Sequence, residues 1–345
     1  MKAVIFRRHG GPEELEWADM PDPSPEPDDV VIKVSACSLN HLDIWERQGL
    51  PGVNIPLPHI SGSDVAGEIV QAGNRVKGLR AGQRVIASPG VSCGECEFCR
   101  KDFDSLCASY RLLGLQVNGG YAEYVKVPAR AVIPVSDKYS WEEWAAVPLV
   151  FLTAWHMLAS RARLQKGETV LVHAAGSGIG SAAIQVAKHL GARVITTASS
   201  DEKLEKALAL GADRIVNYKT ADFIAETLDF TQGRGADVVF EHIGPETWAG
   251  SIRVLAKAGR LVTCGATSGR EVNVDLRFLY SKQLSIFGSY MGGTRELHEV
   301  LRLIDHGQLK PVVDSVFPLK EARQAQEKML SRQHFGKILL VNPQP

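Results

Sequence analysis

From about residue 150 onward, short β-branched runs alternate with helical stretches, and this alternation constrains the fold more than any other feature of the sequence. Residues 169–174 (TVLVHA) read as a strand that passes through a glycine turn into a helix over 178–190. Residues 193–197 form the next expected strand, followed by a helix over 201–210. The runs 214–217, 237–241, 260–263 and 284–287 supply four more strands. Parallel strands cannot be joined by a tight hairpin, and the intervening helices are the crossovers they need. Six such strands predict an α/β chain built on a doubly wound parallel sheet. The first 130 or so residues read differently. Runs such as 30–34 (VVIKV) and 65–70 (VAGEIV) are apolar or alternating, bounded by Pro, Gly and Asp, and predict a β-rich region. From about residue 291 the texture is mixed again, up to the apolar run 337–341.

The turn His173-Ala174-Ala175-Gly176-Ser177-Gly178-Ile179-Gly180-Ser181 lies where a strand hands over to a helix. Small residues there let the backbone approach a pyrophosphate, and the first N–H groups of the helix point at that anion. If Gly180 is the last glycine of G-x-G-x-x-G, Ala175 and Ser177 occupy the other two places. A tight turn packing a helix on a sheet would use the same residues. The six-strand context makes Ala175, Gly176, Ser177, Gly178, Ile179 and Gly180 a dinucleotide-binding turn. An acidic residue about 20 positions further on would bond the ribose 2′-hydroxyl of NAD. Instead the second strand closes on Thr197-Ala198-Ser199-Ser200, with Lys203 one turn on and Tyr218 ending the third strand. Hydroxyls, an ammonium and a phenol suit a 2′-phosphate, so Ser199, Ser200, Lys203 and Tyr218 favour NADP(H) over NAD(H). The serines would serve equally as helix caps, and Lys203 as an ordinary surface lysine.

Cys93, Cys96, Cys99 and Cys107 follow the spacing C-x2-C-x2-C-x7-C. Four thiolates in one loop close a tetrahedral Zn2+ site with no position left for water, which makes the expected metal structural. A disulfide or an iron–sulfur cluster is the competing use. Cys37 and Cys264 fall in strand-like contexts and read as core residues. The most apolar run, 145–155, is shorter than the ~20 residues of a membrane span and contains Pro148. The N-terminal apolar run is shorter than the ~7–15 residues of a signal peptide. These features place the chain in the cytoplasm, away from membranes, where disulfides are rare. Basic and acidic residues number 39 each, leaving no surplus to neutralise nucleic-acid phosphates.

The β-rich first part, the four-cysteine loop and the late dinucleotide region together resemble the medium-chain dehydrogenase/reductase superfamily. Residues 62–67 (GSDVAG), Thr153-Ala154-Trp155 and Gly336-Lys337 belong to the same resemblance. It implies a GroES-like β-rich catalytic domain over 1–150 and 289–345, interrupted by a Rossmann domain over 151–288, and a homodimer or homotetramer. In the zinc alcohol dehydrogenases, catalytic ligands fall in C-H-x-D, in G-H-E-x-x-G, and four residues before the Thr of T-G-Y. Here those places hold Asn40, Ser63 and Leu149, none a good zinc ligand. Zinc lowers the pKa of bound water from ~15.7 to about 7, on the order of 12 kcal/mol of oxyanion stabilisation. Oxidising an alcohol through its alkoxide would lose that help. Reducing an activated C=C bond or a quinone needs less, because the acceptor is already electrophilic. The chain therefore looks most like the quinone oxidoreductase branch, with the structural zinc kept and the catalytic zinc lost.

By the same resemblance, Asn40 in the N-x-x-D stretch lies near the nicotinamide and orients a carbonyl or a water. Asp43 buttresses it, and Thr153 faces the nicotinamide. His41 touches the cofactor phosphates, His242 sits at a carboxyl strand edge where ligands bind, and Lys337 contacts the cofactor. Ordinary roles compete with these: a loop asparagine, a surface histidine, a helix-capping threonine. A rearranged metal site drawn from Cys37, His41, His59 and Asp64 is a further alternative. The expected activity is NADPH-dependent hydride transfer to a small electrophilic substrate. A zinc alcohol dehydrogenase with displaced ligands, and an NADP(H)-binding protein without catalysis, are the competing readings.

Overall fold

Buried parallel strands have no wet face, so they read as continuous apolar runs, and the second half of the chain folds accordingly. The computed structural model describes residues 1–342. The chain divides into two units. The first comprises Met1–Leu149, Gly293–Leu301 and residues 311 onward; the second comprises Val150–Gly292 and Arg302–Lys310. Val150, residues 289–292 and residues 302–310 thus group with the second unit, whereas the sequence reading placed them in the first. At the end of the last of these segments the Gln185 side chain donates to the Lys310 carbonyl and accepts from the Lys310 N–H, both at 2.9 Å.

In the second unit six strands form one parallel sheet. Across the sheet they run Arg214–Asn217, Arg193–Ala198, Thr169–Val172, Ala236–Glu241, Leu255–Thr263 and Ser285–Gly288. The chain starts in the middle, winds to one edge and then to the other, which is the dinucleotide-binding arrangement. The fifth strand begins five residues before the expected 260. Ala258 takes a left-handed φ of 59°, and the pairing shifts between Ala236 and Val238. That irregular stretch, with Lys257 and Gly259 in it, hides the strand's start from a pattern reading. Leu171, Ile195, Val239 and Leu261 are fully buried in the core on which Trp248 and Ile252 pack.

The first unit is built around the strand Asp29–Ser38. Asp64–Ala72 pairs with it antiparallel along one side. The other side is shared: Tyr124–Pro128 pairs with residues 29–33 and Lys337–Val341 with residues 36–38. Two register facts position the candidate site. Ser38 lies opposite Asp64, and Leu339 opposite Ser38, so Lys337 starts its strand just beyond the point where Asp29–Ser38 ends. No helix among the described residues is long and apolar enough to cross a membrane.

Truncating Leu171 to Ala should cost about 2–5 kcal/mol, because a fully enclosed side chain leaves a cavity the sheet cannot close. Urea unfolding of the L171A variant should show a lower midpoint with an unchanged slope.

Candidate functional site

Where Asp29–Ser38 ends, the chain turns at Asn40 into the helix His41–Gln48. Asp43, the third residue of that helix, accepts the Asn40 backbone N–H at 2.8 Å. This fixes the entry of the helix. The Asn40 side chain turns the other way. Its Nδ2 donates to Asp64 Oδ2 at 2.9 Å, and its Oδ1 accepts from Lys337 Nζ at 2.6 Å. Lys337 also donates to the Leu39 carbonyl at 2.6 Å and to Asp64 Oδ2 at 3.2 Å. Asp64 collects two more donors, Ser38 Oγ at 3.0 Å and the Leu149 N–H at 2.8 Å. Ser38, Asp43 and Asp64 are fully enclosed, Lys337 is 4% exposed and Asn40 is 6% exposed. Asn40 is therefore the most open member of a buried polar cluster.

Burial sets the electrostatics here. Asp43 also accepts the Tyr121 hydroxyl at 2.8 Å, yet desolvation outweighs its hydrogen bonds and pushes its carboxyl up from 3.8 to about 6. Desolvation likewise raises Glu46 well above the usual carboxylate range, with Asp43 adding to the effect. Ser63 is fully enclosed and its hydroxyl has no hydrogen-bond partner. His59 Nε2 faces the Gly114 carbonyl at 2.8 Å, and its pKa is lowered by burial. Among the described residues, the only group of three or more His, Cys, Asp or Glu side chains placed to hold a metal is the cysteine set. The cluster drawn from Cys37, His41, His59 and Asp64 is not assembled.

The four cysteine sulfurs all lie within 4.8 Å of one another. Cys93 and Cys99 are 3.8 Å apart, and Cys96 and Cys99 3.5 Å. A tetrahedron with Zn–S bonds of about 2.3 Å has edges of about 3.8 Å, so the spacing fits zinc. The N–H groups of Glu95 and Cys96 donate to Cys93 Sγ, which favours its thiolate and brings its pKa down to about 6. Cys93, Cys96, Cys99 and Cys107 would hold one ion and leave it no open position.

In the second unit the glycine turn follows Thr169–Val172 and opens the helix Gly178–His189. Ser177 caps that helix, accepting the Gly180 N–H at 2.9 Å, and the Ala175 N–H is tied to the Thr197 carbonyl at 2.8 Å. A side chain on Gly180 would run into the Ala174 carbonyl, so only glycine fits there. Ser199 and Ser200 close the strand Arg193–Ala198, and Tyr218, 47% exposed, follows the neighbouring strand with its N–H on the Ala198 carbonyl at 3.1 Å. Ser200 stands at the N-cap of Asp201–Ala209, but its hydroxyl makes no capping bond. Lys203 lies in the first turn of that helix. The nearest downstream carboxylate, Asp201, accepts from Asn217 Nδ2 at 2.8 Å. Thr153 lies inside the helix Pro148–Trp155 and not at its cap, and its buried hydroxyl has no partner. His41 begins its own helix with its ring 5.0 Å from Trp45.

His242 Nε2 donates to the His173 carbonyl at 3.0 Å. Beside it lies a network that sequence reasoning missed. Ser251 donates to Glu241 at 2.9 Å, leaving its oxygen to accept from His173 Nε2, also at 2.9 Å. Glu241 further accepts the N–H groups of Ile243 and Gly244 and the Thr247 hydroxyl. Burial lowers the His173 pKa to about 4, so the ring is neutral. Ser38, the Leu149 N–H and Tyr121 were missed too; a backbone donor leaves no mark in a sequence.

An α/β dinucleotide sheet, a β-rich unit carrying a four-cysteine site, and a buried Asn–Lys–Asp cluster define a dehydrogenase-type oxidoreductase. Residues 26–137 match the alcohol dehydrogenase GroES-like domain, and residues 178–306 match the zinc-binding dehydrogenase family. An NAD-dependent alcohol dehydrogenase of Sulfurisphaera tokodaii is 32% identical over 99% of this chain and 100% of its own length. A quinone oxidoreductase of Rattus norvegicus is 32% identical over 99% and 98%. A crystal structure of an NAD-dependent alcohol dehydrogenase superposes with a TM-score of 0.96 at 44% identity, covering 99% of this chain and all of that one. The chain belongs to the medium-chain dehydrogenase/reductase superfamily and is an oxidoreductase with a GroES-like and a Rossmann-type region.

Two measurements follow. Metal analysis should find about one zinc per chain, and Cys107→Ser should lose it together with thermal stability. For Asp43, whose folded pKa is raised, the stabilising protonated form is complete at low pH and is lost as pH rises from 3.8 to about 6. That displacement is worth about 3 kcal/mol. The D43N variant should therefore gain on the native protein by up to that amount between pH 4.5 and 7, read from paired urea titrations.

Proposed function

We propose that this chain is an NADP(H)-dependent reductase that passes hydride to an activated C=C bond or a quinone without a catalytic zinc. It would carry one structural Zn2+ on Cys93, Cys96, Cys99 and Cys107, act on a small electrophilic substrate and assemble as a homodimer or homotetramer. One observation carries the reading. Where the first catalytic ligand of the zinc alcohol dehydrogenases stands, this chain has Asn40, with its amide held by Asp64 and the Lys337 ammonium. A divalent cation there would meet a fixed positive charge 3.2 Å from the carboxylate that could have offset it.

Bound NADPH supplies the hydride. The N–H groups of Gly176, Gly178 and Ile179 would receive the pyrophosphate, while Ala175, Ser177 and Gly180, whose own N–H groups bond within the protein, shape the turn around it. Ser199, Ser200, Lys203 and Tyr218 take the 2′-phosphate, and Asp201, engaged by Asn217, does not stand in for the acidic residue of NAD enzymes. The unpartnered Thr153 hydroxyl offers the nicotinamide amide a hydrogen bond, and the family resemblance assigns His41 to the cofactor phosphates. His242 has one ring nitrogen committed to His173 and would contribute its edge as a wall. Asn40 donates to the acceptor's oxygen, where negative charge builds as hydride arrives, and Asp43 holds the Asn40 backbone. Proximity of donor and acceptor carbons supplies much of the rate, and solvent returns the proton to the enolate. Lys337 has all three N–H groups engaged inside the protein, which favours a positioning role over cofactor contact.

The NAD-dependent alcohol dehydrogenases among the relatives favour a second reading, NAD(H)-linked alcohol oxidation. Steady-state assays of NADPH and NADH against quinones, enones and simple alcohols separate the two. The proposal expects acceptor reduction with kcat/KM at least about tenfold higher for NADPH. It also expects Ser200→Asp to erase that preference by repelling the 2′-phosphate while sparing NADH. Brisk alcohol oxidation with no acceptor turnover would reject it.

A further inference from the structure

A side-chain amide presents an oxygen and a nitrogen of almost the same size and shape, so what lies around it decides which way it points. Around Asn40 that decision is unambiguous. An ammonium has only hydrogens to offer, so the atom 2.6 Å from Lys337 Nζ must be the oxygen. The Asp64 carboxylate already takes donors from Ser38, Leu149 and Lys337, so the atom 2.9 Å from it must be the nitrogen. Rotating the amide by half a turn would set oxygen against carboxylate and N–H against ammonium. Both contacts would become repulsive in a site sealed from water, where such errors are costly.

The lock leaves one hydrogen over. An amide nitrogen carries two, and Asp64 accepts one of them. Lys337, drawing electron density toward Nζ through Oδ1, makes the remaining N–H a stronger donor. Asn40 is also the most exposed residue of the cluster, while Lys337 itself reaches no solvent-facing acceptor.

We propose that Lys337 is a positioning residue: together with Asp64 it locks the Asn40 amide so that one polarised Nδ2–H is presented to the oxygen of the substrate. The charge left behind by the missing zinc is thus supplied indirectly, through an amide, by a lysine that never touches the reacting atoms. This rests on the reductase reading for the identity of the substrate's oxygen, but the lock itself does not depend on it.

The test is Lys337→Met in the full-length, zinc-loaded protein. The expected result is a kcat lower by roughly 10–100-fold, in the range seen when an oxyanion donor is lost. The KM for the acceptor and the Kd for NADPH should change less than about threefold. Because this variant strands the Asp64 charge, D64N/K337M serves as its partner: it removes both charges and the lock, and should be equally slow while folding normally. Labelling the side-chain nitrogens of the seven asparagines gives a readout independent of turnover. The pair of amide signals that vanishes in N40S should be displaced from the others in the native protein and move toward them in both lysine variants. If those signals stay in place, the lock does not exist, whatever the enzyme reduces. Loss of NADPH affinity with unchanged kcat would make Lys337 a cofactor contact and overturn the proposal, as would full kcat in the folded double variant. Failure of the native enzyme on every acceptor, with the amide signals moving as expected, would reject the reductase reading and the substrate contact while leaving the lock.

Discussion

One carboxylate organises the first unit. Asp64 accepts hydrogen bonds from Ser38, Asn40, Leu149 and Lys337, which are brought in by different strands and a helix approach. A buried charge is tolerable only when its lone pairs are satisfied, and here four donors, one of them cationic, do so. The strand register supplies the geometry. Ser38 faces Asp64 across one ladder, and Lys337 enters at the head of the next. Asn40 is then held by its neighbours, and the candidate chemistry inherits its precision from that ladder.

The second unit solves a different problem with different means. On the proposed reading its sheet edge presents backbone N–H groups to an anion, which calls for small residues and free donors. Ser177 and Gly180 provide the turn, and Glu241 steadies the neighbouring loop by accepting from Ile243, Gly244 and Thr247. Burial keeps His173 neutral, so the network around Glu241 carries the charge of that carboxylate alone. Within the first unit, the cysteine loop brings four sulfurs to tetrahedral spacing with no gap for a substrate.

What was legible in the sequence follows from how local each signal is. The central parallel strands could be found because burial on both faces makes each a self-contained apolar run, as in Thr169–Val172, whereas the more exposed edge strands Arg214–Asn217 and Ser285–Gly288 showed through their alternation with helices. Leu255–Thr263 was caught only in part, since the kink at Ala258 breaks the pattern. The cysteines were legible because their spacing is itself the chemistry. The Asn40 cluster was not, because it joins residues almost three hundred positions apart. Lys337 precedes an apolar run and looks like a lysine at a strand mouth; nothing near it in sequence shows that its ammonium turns inward to Asp64. Resemblance gave it a cofactor role, and the hydrogen bonds argue for a different one.

The pairing of Lys337–Val341 beside Asp29–Ser38 has a consequence for biogenesis. Translation runs from the amino end, so nearly all of the second unit leaves the ribosome before this strand has been made. The unit begun first is therefore completed last. Until then its central strand has an unfilled edge, and Asp64 waits without its counterion. A polypeptide cut short before residue 337 would hold every residue of the second unit yet lack both the strand that pairs with residues 36–38 and the cation beside Asp64.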